Sequence, residues 1–159
     1  MMRIKILFAT ICCVIMSVCT AIASVPASEL SIGGIGIGSS GDYVKSVYGN
    51  PDNISSSPWC EVWKYGSFEL TVDKNTVLYL KSKGTNGLAT PAGLAVGMKI
   101  DTAFDLYGKA DYQGTTQTEI VRLPKGCDYH YLYTSSNNML MILYTKNNVI
   151  KEIVITEGH

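Results

Sequence analysis

Gly38-Ser-Ser-Gly-Asp42-Tyr-Val-Lys-Ser-Val-Tyr48-Gly49-Asn-Pro51-Asp52 returns later in the chain as Gly97-Met-Lys-Ile-Asp101-Thr-Ala-Phe-Asp-Leu-Tyr107-Gly108-Lys-Ala-Asp111. The offset stays at 59 residues, without a gap, across a Gly, an Asp, a Tyr-Gly pair and a closing Asp. Such self-similarity predicts a duplicated structural unit. In the first copy Ser39 and Asp42 read as an S-x-x-D capping box, and Val44, Val47 and Tyr48 fall at helical spacing. Gly49 then offers a left-handed helix stop, with Pro51 just beyond to forbid continuation. The second copy places Ala103, Leu106 and Tyr107 on the same face and Gly108 at the same end. Helices this short are marginal alone in water, so each must pack against something.

The partner is predicted to be β-structure. Residues 62–65, 68–72 and 77–80 read as strands turning at Gly66-Ser67 and at 73–76, and residues 129–133, 139–144 and 149–155 repeat the order. Phe68, Leu70 and Val72 alternate with Glu69, Thr71 and Asp73, as in a sheet with one dry face and one wet face. Residues 139–144 are apolar on both parities, so that strand either lies inside a continuous sheet or meets a partner on its outer face. The expected fold is α+β: tandem duplicated αβββ units forming an antiparallel sheet with short helices on one face. Its divisions are a signal peptide (1–23), an N-terminal lead-in (24–34), repeat 1 (35–83), a Gly/Pro-punctuated connector (84–93) and repeat 2 (94–159).

The signal assignment rests on Arg3 and Lys5, an apolar run over 6–18 and the small residues Ala21 and Ala23. The run is short for a membrane span, so no span is expected after cleavage. The expected location is periplasmic or secreted. Removing the segment leaves 11 basic against 13 acidic residues, which argues against a nucleic-acid surface. Cys12, Cys13 and Cys19 leave with it, while Cys60 and Cys127 remain as a candidate disulfide. Aligning the repeats puts those two thiols one residue out of register, so a bond needs an irregular strand start.

Catalytic signals are weak. His130 lies inside a predicted strand and His159 is the last residue, so no base stands beside a nucleophile in any recognisable pattern. Two Cys and two His without ligand spacing predict no metal site. Gly36-Ile-Gly38-Ser-Ser-Gly41 matches G-x-G-x-x-G, but the preceding residues make a poor strand. It reads as a lead-in to a capped helix, and no cofactor is expected.

The outstanding side chains are aromatic. Trp59, Trp63 and Tyr65 share one parity, as do Tyr129, Tyr131 and Tyr133 in the second copy. Such rings either pack beneath the helices or anchor a recognition surface, and we take them as the expected binding surface. Trp59, beside Pro58, and one of Tyr129 and Tyr131 are expected to be exposed.

A Gly opening a short helix that ends in Tyr-Gly-x-Pro-Asp, followed by aromatic strands, resembles the SmpA/OmlA (BamE-like) family and the fold-related β-lactamase inhibitory protein. The resemblance implies tandem helix-plus-sheet repeats and recognition of protein through an aromatic sheet face. The expected function is thus an exported, non-enzymatic protein-binding module of the bacterial cell envelope, in its narrower form an inhibitor of an extracellular hydrolase. Its partner would be a protein in the envelope or outside the cell, with no nucleic acid. The alternative is a structural or assembly component of the envelope.

Overall fold

The computed structural model describes residues 25–115 and 122–158. The signal segment lies outside them. No described helix is long and apolar enough to cross a membrane.

After a 3-10 turn (Ala27–Glu29), a two-stranded ribbon of β1 (Ser31–Ile32) and β2 (Ile35–Gly36) leads into α1 (Gly41–Tyr48). Then come β3 (Asn53–Ser56), β4 (Glu61–Tyr65), β5 (Phe68–Asp73) and β6 (Thr76–Lys83). The second half repeats that order with α2 (Ile100–Tyr107), β7 (Tyr112–Gly114), β8 (Tyr129–Thr134), β9 (Met139–Lys146) and β10 (Val149–Glu157). Each helix is therefore followed by four strands rather than the three expected. The added strands, β3 and β7, are short and polar and lie at the two ends of the sheet.

One antiparallel sheet runs in the order β3-β4-β5-β6-β10-β9-β8-β7. Its halves meet where β6 pairs with β10, Leu80 opposite Ile155 and Ser82 opposite Ile153. The sheet is thus continuous, and β9 lies inside it.

The same local chemistry ends both helices. Gly49 and Gly108 adopt φ of 77° and 76°, the positive region that favours glycine. Tyr65 donates its hydroxyl to the Gly49 carbonyl at 3.1 Å, and Tyr133 does so to Gly108 at 3.2 Å. Asp52 accepts from the Gly66 amide, and Asp111 from the Thr134 amide, each at 2.6 Å. At their starts the helices differ. Ser40, not Ser39, caps α1 by accepting from the Tyr43 amide at 3.1 Å, and Lys99 gives α2 no side-chain cap.

The main core lies between the helices and one sheet face, gathering Val44, Phe68, Leu70, Leu80, Ala103, Met141, Leu143, Ile153 and Ile155, with Ile32, Ile35 and Leu94 closing it. Each fully buried aliphatic side chain contributes roughly 1.5–3 kcal/mol, which holds helices too short to persist alone. Val47 and Leu106, expected on the packed faces, are instead 48% and 41% exposed. On the other sheet face Ile142, Tyr144 and Val154 form a second cluster, with Leu123, Cys127, Leu132 and Tyr79 packed against it.

Candidate functional site

The parity of the aromatic row follows from one turn. Gly66-Ser67 makes a two-residue hairpin with Gly66 at φ 59°, so Tyr65 stands opposite Phe68 and Trp63 opposite Leu70. Phe68 and Leu70 are fully buried beneath α1, and Trp63 and Tyr65 share their face. In the second half Tyr131 pairs with Leu143 and Tyr133 with Met141, again on the helix side.

Most of the expected recognition surface is therefore core. Trp63 is 4% exposed, Tyr131 8% and Tyr133 0%. Tyr65 is half-buried with its ring 5.6 Å from Tyr48. Tyr129 is half-buried with its ring 5.0 Å from Tyr131, and Tyr131 packs edge-on against Phe104 of α2. Burial raises the hydroxyl pKa of Tyr65, Tyr131 and Tyr133 above the ordinary phenol range. The expectation that Tyr129 or Tyr131 is substantially exposed fails, because α2 covers this parity.

Trp59 is the exception, at 83% exposure. It stands in the turn Ser57-Pro58-Trp59-Cys60 at the tip of the β3–β4 hairpin. The Ser57 amide donates to the Cys60 carbonyl at 2.9 Å, and the Ser57 hydroxyl accepts from the Cys60 amide at 3.1 Å. Pro58 occupies the second turn position, where its fixed φ suits a tight turn. The indole is thus presented on a rigid support.

Beside it lies an open groove of about 430 Å³ lined by Trp59, Cys60, Glu61, Trp63, Lys45 and Asn75 among others. Lys45 of α1 sets its ammonium 4.6 Å from the Trp63 ring centre, and the Trp63 ring N–H donates to Glu61 at 2.8 Å. The opposite wall is the β5–β6 turn, where Lys74 and Asn75 both have positive φ and Asn75 bonds Asp42 at 3.1 Å. A methyl group on Gly41 would come within 2.6 Å of Asn75 and 2.7 Å of Trp63. That glycine, the last of the G-x-G-x-x-G run, allows close packing of the α1 start against Asn75 and Trp63.

Of the expected site residues, the groove unites Trp59, Trp63 and Cys60. Tyr65 lies farther along β4, and Tyr129, Tyr131 and Tyr133 belong to the other half of the sheet. Lys45, Glu61 and Asn75 were missed. The Asp73-Lys74-Asn75-Thr76 turn signal marks the last of them, but only the packing of α1 on β4 brings Lys45 there. Cys60 and Cys127 are free thiols. They flank β4 and β8, which stand five strand spacings apart, about 24 Å, so the candidate disulfide is excluded. The groove combines an aromatic plate, an ammonium and a carboxylate, a set suited to holding a partner. No group of three or more metal-ligating side chains occurs among the described residues.

No family model and no curated protein sequence matches the chain. Its fold is similar to that of a cysteine-rich secretory protein from Staphylococcus aureus, at 7% identity over 76% of this chain, with a TM-score of 0.51. An extracellular protein containing an SCP domain from Bacillus anthracis matches at 13% identity, also over 76% of this chain, with a TM-score of 0.53. The match spans 44% of the length of each of those two proteins. YjgB of Bacillus subtilis, a DUF4309 family protein, matches at 12% identity over 86% of this chain and 88% of its own, with a TM-score of 0.50. These likenesses replace the expected kinship with the SmpA/OmlA (BamE-like) family and the β-lactamase inhibitory protein. The Tyr-Gly and Asp signatures here tie each helix end to the sheet, so they mark local geometry rather than kinship. The chain thus resembles, in fold, secreted and extracellular bacterial proteins.

Proposed function

We propose that the chain is an exported, non-enzymatic protein-binding module acting in the bacterial envelope or outside the cell, with the Trp59 groove as its contact surface. One observation carries this: a tryptophan left 83% exposed on a turn braced by Ser57 and Pro58. A large ring held out by a rigid turn loses little conformational freedom on binding, which suits an interface anchor. The secretory and extracellular character of the structural neighbours supports export. An inhibitor of an extracellular hydrolase is the narrower form of this reading. Recurrence of the Tyr-to-Gly carbonyl bond and the Asp-to-amide bond supports treating the halves as one unit used twice.

The test replaces Trp59 with a photo-crosslinking aromatic residue, identifies what it captures from native envelope and medium, and measures binding of that partner to the purified chain. Trp59→Ala is expected to weaken binding by about 2 kcal/mol or more, roughly thirtyfold, while stability stays within about 0.5 kcal/mol. Unchanged affinity for the captured partner would remove the groove from the function.

A further inference from the structure

β3 ends the sheet on one side, and its free edge is complementary to itself. The ladder to β4 pairs Asn53 with Lys64, Ile54 with Trp63, Ser55 with Val62 and Ser56 with Glu61. One step further the Ser57 amide bonds the Cys60 carbonyl. Antiparallel pairs alternate between those that exchange hydrogen bonds and those that do not. With Ser57 and Cys60 bonded, Ser55 and Asn53 turn their main-chain groups toward β4, and Ile54 and Ser56 turn theirs outward. No neighbouring strand pairs with that edge among the described residues. All four residues of β3 are exposed, Ile54 at 46%, and none is charged. Edge strands are commonly protected by a charge, a proline or a bulge. Here Pro51 and Pro58 lie just outside the strand and confine pairing to it.

We infer that β3 pairs antiparallel with β3 of a second copy about a twofold axis through Ser55. In this register Ile54 faces Ser56 of the other copy and exchanges two hydrogen bonds with it. The symmetry-related pair adds two more, so every outward group of Ile54 and Ser56 is satisfied. The neighbouring registers fail for reasons visible in the chain. Centring on Ile54 would call on the Asp52 amide, which already donates to the Lys64 carbonyl at 2.8 Å. Centring on Ser56 would call on Pro58, which has no N–H. No like charges meet, and the Ile54 side chains of both copies approach on the helix side of the joined sheet. The contact uses up both β3 edges, so it closes as a dimer rather than propagating. It rests on main-chain groups and is independent of the Trp59 groove. An interface this small forms a weak, concentration-dependent dimer.

Sedimentation of the chain lacking residues 1–23, from about 10 μM to about 1 mM, should show the average mass rising toward that of a dimer. Ser56→Pro removes an outward N–H and leaves the bonds to β4 in place. It should weaken association at least tenfold with an unchanged melting temperature. Ser55→Cys provides a second readout. The two Ser55 residues form a non-hydrogen-bonded pair about 4.5 Å apart at Cα, within disulfide reach. Mild oxidation should give a dimer linked through position 55, mapped by mass spectrometry. Ile54→Cys, which faces Ser56 instead, should give no more cross-link than the unsubstituted chain with its own Cys60 and Cys127. A chain that stays monomeric throughout, or a Ser55→Cys yield no higher than that of Ile54→Cys, would overturn the inference.

Discussion

The half built on α1 and the half built on α2 share an element order and tie their helices down with the same bonds, yet they finish their outer sheet faces in opposite ways. In the first half that face carries Lys64, Glu69, Thr71 and Lys81, with Glu69 paired to both lysines. In the second it carries Leu132, Ile142, Tyr144 and Val154, against which Leu123 and Cys127 pack. At the seam Lys83 reaches the buried Glu152 at 3.3 Å. A polar outer face needs only water, whereas an apolar one needs a cover, and the residues leading into β8 supply part of it. The helix-side contacts diverge more mildly: Lys45 over Trp63 in the first half corresponds to Phe104 against Tyr131 in the second. The first half thus presents a groove, and the second builds a second layer.

The largest effects should come from the rings that the two halves share. Trp63→Ala and Tyr131→Ala should each cost about 3–5 kcal/mol, because both remove a buried ring from beneath a helix. Chemical denaturation of the two variants beside Trp59→Ala provides the check. A loss below about 1 kcal/mol in only one of the pair would break the equivalence of the halves.

Much of this was legible beforehand. Tyr48-Gly49 and Tyr107-Gly108 announced both helix ends, since a positive φ there favours glycine. The alternation in 68–72 announced a half-wet strand, and the doubly apolar 139–144 a strand either inside the sheet or covered on its outer face. β3 and β7 escaped because Asn53-Ile-Ser-Ser and Tyr112-Gln-Gly are short and polar, held by pairing rather than by propensity. The aromatic parity was open to reading: the Gly66-Ser67 pair specifies a two-residue hairpin, and that alone places Trp63 with Leu70. Of the groove, Trp59 was legible from Pro58 beside it, whereas Lys45 and Asn75 join it only through tertiary packing. The fate of His130 was not legible, because its burial depends on what crosses the outer face.

His130 sharpens the contrast between the outer faces. Its ring is fully buried, stacks on Tyr112 at 5.5 Å, and has a hydrogen-bond partner on neither nitrogen among the described residues. Burial holds its pKa below the ordinary 6.5. The unfolded chain therefore takes up the proton first, so the contribution of His130 to stability is constant above about pH 6.5 and falls as the pH drops below it. The slope is bounded by about 1.4 kcal/mol per pH unit, the limit for a single proton. His130→Phe should remove this dependence just below pH 6.5, and melting curves on either side of that pH test it. An unchanged slope in the variant would assign the acid sensitivity to carboxylates instead.

The smallest expected effect probes the mildest difference between the halves. Lys45→Phe gives α1 the side chain that α2 carries at the corresponding position, Phe104. The substitution gives up an ammonium-to-ring contact worth roughly 0.5–1 kcal/mol at a site open to solvent. It gains an aromatic pair with Trp63 of about the same strength if the new ring adopts the edge-on geometry that Phe104 makes with Tyr131 at 5.5 Å. Stability should therefore change by no more than about 0.5 kcal/mol. Binding at the groove should respond more strongly, because Lys45 is part of its lining. Thermal unfolding measured beside affinity for the Trp59-crosslinked partner separates the two quantities. A large loss of stability with intact binding would mean that the Lys45 contact holds α1 in place and that the two helices are not seated alike.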